Sequence, residues 1–300
     1  MMEPIAVIYK NTQVYWSHIV FVLAVLAWFF ASLGFLSRAK VRIVTVILLP
    51  MIAGAFSFFF ARLVYWYSAV ERYQDLKSAF LDLSPYSFNI TGVIIGEALA
   101  ILLIRLTQLE KKISGMSDAM APPTALAAAL LYTVCLWGDT CRSNYDFPTF
   151  IAISVCMAVI FVITALIFFI RKEKDRTATC VFILLFASSE FILDSTRYDS
   201  GFFPFNGFVS IVQIFSGICI LGTTLYLYFH KLKKSGFRII NLILLVLELA
   251  AMSLSGYLEY LVQRHGDKAS TIYFWMAISC ILMVLLPCGI KFPKERSKEK

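Results

Sequence analysis

The sequence predicts an all-α, polytopic integral membrane protein: a bundle of about nine transmembrane helices, with its amino terminus outside and its carboxyl terminus in the cytoplasm. Of the 300 residues, 60% are hydrophobic and only 15% are charged, whereas soluble domains carry about 25% charged residues. Nine apolar stretches approach the roughly 20 residues that a helix needs to cross the hydrocarbon core. Lys and Arg collect in alternate gaps between these stretches. These three observations predict the fold class.

Each predicted span is a run of mainly apolar residues, and the connections between spans hold most of the charges. Two adjacent prolines, Pro122 and Pro123, lie near the start of the fourth span, where Pro is tolerated because the first helical turn has no intrahelical partner for its N–H groups. In chain order the spans cover residues 16–36, 43–67, 88–104, 120–138, 149–170, 177–195, 207–230, 239–261 and 271–290.

The orientation follows from the positive charges, because cationic loops stay on the cytoplasmic side of the membrane. Of the 27 Lys and Arg residues, 19 lie in one alternating set of gaps and 7 in the other, and Arg62 lies within a span. The richer set includes the carboxyl-terminal tail. This asymmetry predicts an external amino terminus, a cytoplasmic carboxyl terminus and an odd number of spans.

The net charge of +8 is dispersed over short connections. This distribution favours contact with anionic lipid head groups and not with nucleic acid, which would require one continuous basic face. The seven cysteines show no Cys-x-x-Cys spacing, so no metal site and no disulfide framework is predicted.

Several polar residues fall within predicted spans, where a charge is costly unless it faces a paired or hydrated interior. Glu190, Asp194 and Arg197 are spaced i, i+4 and i+7, which places them on one helical stripe. Two interpretations stay open: Arg62 neutralises Glu190 or Asp194 in an ion-pair network that fixes packing, or these residues line a polar cavity reaching in from the outer leaflet. The polar residues at membrane depth are Arg62, Asn89, Glu97, Glu190, Asp194 and Glu248.

Five segments in the first seven spans carry motifs in a fixed order. They read V-Y-W-S-H at 14–18, F-A-R-L-V-Y at 60–65, Y-S-F-N at 86–89 followed by Gly92, M-S-D at 116–118 followed by A-P at 121–122, and E-F-I-L-D-S-T-R-Y-D at 190–199 followed by a span containing S-I-V-Q-I-F-S at 210–216. Together they resemble the prolipoprotein diacylglyceryl transferase family. Its members transfer a diacylglyceryl group from phosphatidylglycerol to a lipoprotein cysteine.

The resemblance implies a multi-pass enzyme of the bacterial plasma membrane that needs no cofactor. Its partners would be phosphatidylglycerol, or a related anionic phospholipid, and the signal peptide of a lipoprotein precursor. Residues 1–234 would form the seven-helix domain of the family, and residues 235–300 would add two transmembrane helices and a basic cytoplasmic tail. The implied roles are catalysis for Asp194 and Asn89, phosphate binding for Arg62 and Arg197, and a place in the polar cavity for Glu190, Tyr65 and Asp199.

The chain also departs from the family pattern. Asn89 replaces a histidine and cannot carry a proton at neutral pH. Glu190 replaces an arginine, and residues 130–138 lack a further Arg and Asn. Deleting one electrostatic stabiliser costs about 10²–10³ in rate. Three hypotheses therefore stay open: a working transferase, a degenerate homologue that binds phospholipid or lipidated protein without turnover, and an unrelated transporter or channel.

Overall fold

A computed structural model describes residues 5–9, 12–68, 75–81, 88–135, 148–171, 175–197, 209–264 and 268–291. Within these ranges the chain is almost entirely helical, apart from one short antiparallel hairpin. The elements are β1 (Ile5–Tyr9), β2 (Thr12–Tyr15), α1 (Trp16–Arg38), α2 (Ile43–Ser68), α3 (Leu76–Leu81), α4 (Ile90–Leu106), α5 (Ile113–Val134), α6 (Thr149–Ile170), α7 (Thr177–Asp194), α8 (Ile211–Ser235), α9 (Ile239–Arg264) and α10 (Ala269–Lys291).

Seven of the described helices are long and apolar enough to cross a membrane, namely α1, α2, α6, α7, α8, α9 and α10. This finding confirms an all-α, multi-pass membrane architecture. The other two helices that match predicted spans are α4, which has 17 residues, and α5, which carries Asp118 and two prolines. A count of nine crossings stays a prediction.

The predicted spans agree with the helices, and α6 matches residues 149–170 at both ends. The largest difference is at α5, which begins at Ile113 instead of residue 120. Its first turns contain Ser114, Ser117 and Asp118, so they are helical without being apolar, and a search for apolar runs misses them. The β1–β2 hairpin and the short α3 were not predicted either, because both are too short to give a clear periodic pattern.

The contacts divide the chain into two compact units. The first consists of residues 1–182 with 196–201, and the second of residues 183–195 with 202–300. Described elements of the first unit are β1, β2, α1 to α6 and the first turns of α7. The second unit holds the remainder of α7 together with α8, α9 and α10. The division predicted at residue 234 rests on family resemblance and stays a prediction.

In the first unit α2 packs against α4 with almost no side chain between the two backbones. A Cβ atom added to Gly92 would lie 2.3 Å from the Phe60 carbonyl oxygen, and one added to Gly96 would lie 2.4 Å from the Ser57 nitrogen. The Ser57 hydroxyl donates a hydrogen bond to the Val93 carbonyl oxygen at 3.0 Å. The sequence G-V-I-I-G at 92–96 is therefore a small-xxx-small contact of the kind that joins membrane helices closely.

Two carboxylates tie the connections of this unit together. Glu110 accepts hydrogen bonds from the backbone N–H groups of Arg42, Lys111 and Lys112. Burial raises the pKa of this carboxyl, but the three N–H donors outweigh it and hold the pKa below its ordinary value. Asp118 of α5 accepts from the backbone N–H groups of Arg176 and Thr179 at 2.9 Å each, which fixes the start of α7.

In the second unit α9 and α10 pack side by side along their length. The Ser255 hydroxyl donates to the Ser279 hydroxyl at 2.8 Å, and the Ser279 hydroxyl donates to the Ala251 carbonyl oxygen at 2.7 Å. These small residues let the two helices approach closely, and the serine hydroxyls supply interhelical hydrogen bonds within the apolar interior of the membrane.

Candidate functional site

A cavity of about 300 Å³ lies in the first unit between α1, α2, α4 and α5. Its volume is at the lower end of the range for small-molecule sites. Val25 of α1 is 45% exposed and Phe58 of α2 is 43% exposed, so the cavity opens between these two helices. The lining is apolar except for the Ser57 hydroxyl, and it consists of Phe21, Ala24, Val25, Trp28, Gly54, Ser57, Phe58, Ala61, Phe88, Val93, Ala127 and Leu131.

Arg62 is not among the lining residues, but it lies next to two aromatic rings that line one end of this cavity. It directly follows Ala61, and only 1% of its surface is exposed. The guanidinium carbon is 4.2 Å from the ring centroid of Phe88 and 5.9 Å from that of Phe58, distances at which a cation is attracted to an aromatic face. Both rings also line the cavity. The sequence motif around residue 62 thus places a fixed positive charge beside an apolar space.

Asn89 caps α4 immediately next to this charge. Its Oδ1 atom accepts a hydrogen bond from the Thr91 N–H at 2.9 Å, and its own N–H donates to the Ala61 carbonyl oxygen at 3.3 Å. Asparagine is favoured at this position because the side-chain oxygen satisfies an N–H group that the helix leaves unpaired. Tyr65 follows Arg62 by one helical turn and is half-buried. The catalytic role implied for Asn89 stays a prediction.

The opposite end of the cavity is formed by Trp28. Its Nε1 donates a hydrogen bond to Glu97 Oε1 at 2.8 Å, and the Thr124 hydroxyl donates to Glu97 Oε2 at 2.5 Å. Glu97 is therefore a buried acceptor that joins α1, α4 and α5. Sequence reasoning found Glu97 as a charge at membrane depth, but neither partner could be identified, because the three residues lie on separate helices.

Asp194, at the end of α7, belongs to a polar cluster of the second unit. It accepts a hydrogen bond from the Ser210 hydroxyl. Ser210 caps α8 through a capping box: its hydroxyl accepts from the Gln213 N–H at 3.0 Å, and its own N–H donates to Gln213 Oε1 at 2.9 Å. Gln213 Nε2 donates to the Phe191 carbonyl oxygen at 3.2 Å. The motif matched at 190–194 and 210–216 is thus held together by hydrogen bonds between α7 and α8.

The last two helices contribute residues to this cluster that sequence reasoning missed. The Tyr273 hydroxyl of α10 donates to the Ser195 carbonyl oxygen at 3.0 Å and lies 3.1 Å from the Ser195 hydroxyl. The Ser195 and Gln213 side chains face the Glu259 carboxyl of α9, and Asp194 interacts with it electrostatically. One signal could have found Glu259: it follows Glu248 by i+11, so both lie on one face of the ninth-helix sequence. Both are buried.

Arg197 does not share the helical stripe that its spacing predicted. α7 ends at Asp194, and the chain turns before Arg197, so the i+7 relationship to Glu190 no longer describes a helix face. Within this turn, the Thr196 hydroxyl lies 2.8 Å from that of Thr149 at the start of α6. The Arg197 guanidinium lies 5.7 Å from the Phe150 ring centroid.

The remaining predicted site residues are only partly described. Glu190 is fully buried on α7, one turn before Asp194. Asp199 lies outside the described residues. The convergence of Arg62, Asp194 and Arg197 on one cavity, and the polar-cavity roles of Glu190 and Tyr65, stay predictions.

Comparison with known proteins adds no assignment: no protein family, no curated protein and no solved structure matches this chain. Its chemistry must therefore be argued from the site itself. A buried guanidinium can bind an anion, and the adjoining apolar cavity can hold a hydrocarbon group. A ligand with both an anionic group and a hydrocarbon group is an anionic amphiphile. Such a ligand could reach the cavity from the bilayer, through the opening between α1 and α2.

Proposed function

We propose that this chain binds an anionic phospholipid, phosphatidylglycerol, in the first unit and uses it as the donor in diacylglyceryl transfer to the cysteine thiol of a lipoprotein precursor. The proposal is supported mainly by the contact of Arg62 with Phe88 and Phe58, two rings that line an apolar cavity of about 300 Å³. The phosphate would bind at the guanidinium, and one acyl chain would occupy the cavity.

Physical chemistry supports this pairing of charge and cavity. Arg binds phosphate oxygens through a planar fork of N–H donors. The interaction is strengthened by burial, because Arg62 is almost inaccessible to water and the effective dielectric constant there is low. The aromatic rings beside the cation attract it and hold it in place. The lateral opening at Val25 and Phe58 would let a lipid slide in from the bilayer.

The transfer step itself is a displacement. The thiolate sulfur forms a bond to the terminal glyceryl carbon, the bond from that carbon to the phosphate oxygen breaks, and the electron pair leaves with glycerol phosphate. The thiol proton passes to solvent. Arg62 would stabilise the negative charge that develops on the leaving phosphate, which is where such a donor contributes most to the rate. The roles implied for Asp194 and Arg197 rest on the family resemblance.

A second candidate function is lipid binding without turnover. One observation favours it: the Asn89 side-chain oxygen is used by the helix cap, and an amide cannot accept the thiol proton. Under this alternative the chain would present phospholipid, or hold a lipidated protein, in a bacterial plasma membrane. The same topology serves both functions, with nine crossings, an external amino terminus and a cytoplasmic carboxyl terminus.

Lipid extraction from purified protein tests the proposal. The Arg62→Gln variant should retain about tenfold less phosphatidylglycerol than the wild type, since a hydrogen bond to a charged group contributes about 1.5–3 kcal/mol. Arg62→Lys should retain an intermediate amount. The matched control is Arg38→Gln, because Arg38 also stacks on a phenylalanine, 4.9 Å from the Phe169 centroid, but away from the cavity. Equal retention by Arg62→Gln and the wild type would refute the proposed site.

Incubating the same preparations with a cysteine peptide of the lipobox type separates the two candidates. Accumulation of the diacylglyceryl thioether, lost in Arg62→Gln and kept in Arg38→Gln, would establish the transferase. Retained phosphatidylglycerol without any thioether would select the binding protein instead.

A further inference from the structure

Glu248 is a carboxyl group near the middle of α9 that the packing of the second unit leaves without a hydrogen bond. None of its surface is exposed, and among the described residues neither Oε1 nor Oε2 has a hydrogen-bond partner. α9 begins at Ile239 and ends at Arg264, so Glu248 is about 14 Å from the nearer end of this helix. An ionised carboxylate in such a place is costly, and a buried polar group of this kind is by default a candidate for function.

α8 carries polar groups at the same levels as the two buried carboxyls of α9. The two helices follow each other through a short connection and pack against each other, so they run in opposite directions. The Gln213 side chain faces Glu259. Eleven residues make about three turns and about 16 Å of helix. Eleven residues from this pair toward the connection, Thr224 and Glu248 therefore lie at one level on the same two faces. Thr224 is fully buried, and among the described residues its hydroxyl has no hydrogen-bond partner.

Further hydroxyls lie along this contact, between the two levels. Ser216 of α8 is 1% exposed, and its hydroxyl also lacks a partner in the described part of the chain. Ser255 of α9 lies between Glu248 and Glu259, and its hydroxyl donates to a serine hydroxyl of α10 at 2.8 Å. Hydroxyl groups both donate and accept hydrogen bonds, and buried waters bind to polar groups that the protein leaves unsatisfied. These side chains can therefore support a chain of hydrogen bonds from Glu259 to Glu248.

We propose that Glu248 is a proton-binding site in the middle of the second unit, loaded from Glu259 through the hydroxyls and internal waters between α8 and α9. In each step an O–H bond of the donor breaks while an O–H bond forms at the acceptor, so one proton moves and no other group changes. Glu259 is the entry because it lies nearer the end of α9, where its Oε1 accepts a hydrogen bond from Gln263 at 3.0 Å. This inference does not depend on lipid binding in the first unit.

The surroundings fit a proton better than a metal ion. Hard metal ions take about six or more oxygen ligands, and within the described ranges no group of three or more His, Cys, Asp and Glu side chains could hold one. The titratable groups that act on Glu259 are Asp194 of α7 and Cys280 of α10, and the residues of α8 at the two levels are uncharged. In the described part of the chain no charged side chain acts on Glu248, for which burial is the only influence. A proton is thus the ligand that neutralises Glu248.

Infrared spectroscopy of the full chain in lipid nanodiscs tests the site, because a protonated carboxyl has a C=O band that a carboxylate lacks. The difference spectrum between the wild type and Glu248→Gln isolates the band of this residue. We expect the band to be present at neutral pH, to be lost as the pH is raised, and to shift soon after transfer to D₂O. Glu259→Gln should slow this shift by about 100-fold, the lower end of the contribution of a positioned acid–base group. The amide in that variant can still accept from Gln263.

Two neighbouring threonines provide a matched pair of variants. Thr224→Val keeps the shape of the side chain but removes a hydroxyl that would donate to the carboxylate through a bridging water, so the midpoint of the Glu248 titration should rise by about one pH unit. Thr223→Val is the control, because this residue lies about 100° away around the axis of α8, and its midpoint should equal that of the wild type. Both variants keep Glu248, so they remain informative if Glu248→Gln does not fold.

A band that titrates, exchanges in D₂O and exchanges more slowly in Glu259→Gln would support the proposal. A band that neither titrates nor exchanges would identify Glu248 as a fixed structural carboxyl and overturn it, as would the absence of any band from this residue. Loss of the band on addition of sodium chloride at constant pH would indicate a metal-ion site instead. Equal exchange rates in Glu259→Gln and the wild type would overturn the route through Glu259.

Discussion

Glu97 shows how a single residue can connect three helices. Its two carboxyl oxygens accept from different partners, the Trp28 indole and the Thr124 hydroxyl. Sequence reasoning could place Glu97 in the protein interior, since a charge facing lipid is costly, and it is indeed buried. It could not name the partners, because hydropathy describes each helix alone and carries no information on which faces meet.

Replacing Glu97 should weaken the first unit. In Glu97→Ala the buried Trp28 N–H loses its acceptor, and we expect a loss of about 1–3 kcal/mol in the free energy of unfolding. Glu97→Gln should lose less, because the amide oxygen can still accept from Trp28. Thermal unfolding in detergent measures both. Ser37→Ala is the control, as the Ser37 hydroxyl makes only an exposed, local hydrogen bond; a midpoint for Glu97→Ala equal to that of the control would contradict this role.

At the scale of elements, the apolar runs predicted every long helix, and the ends of α6 were predicted correctly. The ends of helices that lie at tertiary contacts could not be predicted. The turn after α7 includes a hydrogen bond between Thr149 and Thr196, and these two residues are far apart in the sequence. The close approach of α2 and α4 could not be predicted either. The sequence shows that Gly92 and Gly96 are small, but it does not show which helix packs against them.

The α2–α4 contact gives a sharp prediction. Gly96→Ala would place a methyl group 2.4 Å from the Ser57 nitrogen, so the two backbones must separate, at a cost of about 1–3 kcal/mol for overpacking. Gly34→Ala in α1 is the control, because nothing lies within 4 Å of a Cβ atom added there. Chemical denaturation of both variants should show a lower midpoint for Gly96→Ala only. Equal midpoints would mean that α2 and α4 are not in backbone contact.

At the scale of the whole molecule, the distribution of charge predicts the topology. Most Lys and Arg residues lie in one alternating set of connections, and the membrane architecture with seven long apolar helices agrees with a multi-pass chain. The contacts of the last two helices could not be predicted from the sequence. Tyr273 of α10 binds the backbone of Ser195, and no pattern in the sequence pairs these two residues. The division at residue 234 stays a prediction.

Reporter fusions test this topology. A reporter placed after His230 and one placed after Lys300 should both give a cytoplasmic signal, because α9 and α10 would form a pair that leaves and returns to the same side. A fusion after Arg264, between these helices, should report the exterior. A cytoplasmic signal at the position after Arg264, or an external one at the carboxyl terminus, would rule out the predicted pair of crossings.

The stacking of Arg62 on Phe88 also has a consequence for biogenesis. The ring of Phe88 follows the arginine by 26 positions in the chain, so at translation rates of 5–20 residues per second it emerges roughly 1 to 5 s later. During this interval the translocon must accept α2 without its aromatic partner, although a charged residue within a span is costly. We therefore expect α2 to stay at the protein-lined side of the translocon and to enter the bilayer together with α4, against which it packs at Gly92 and Gly96.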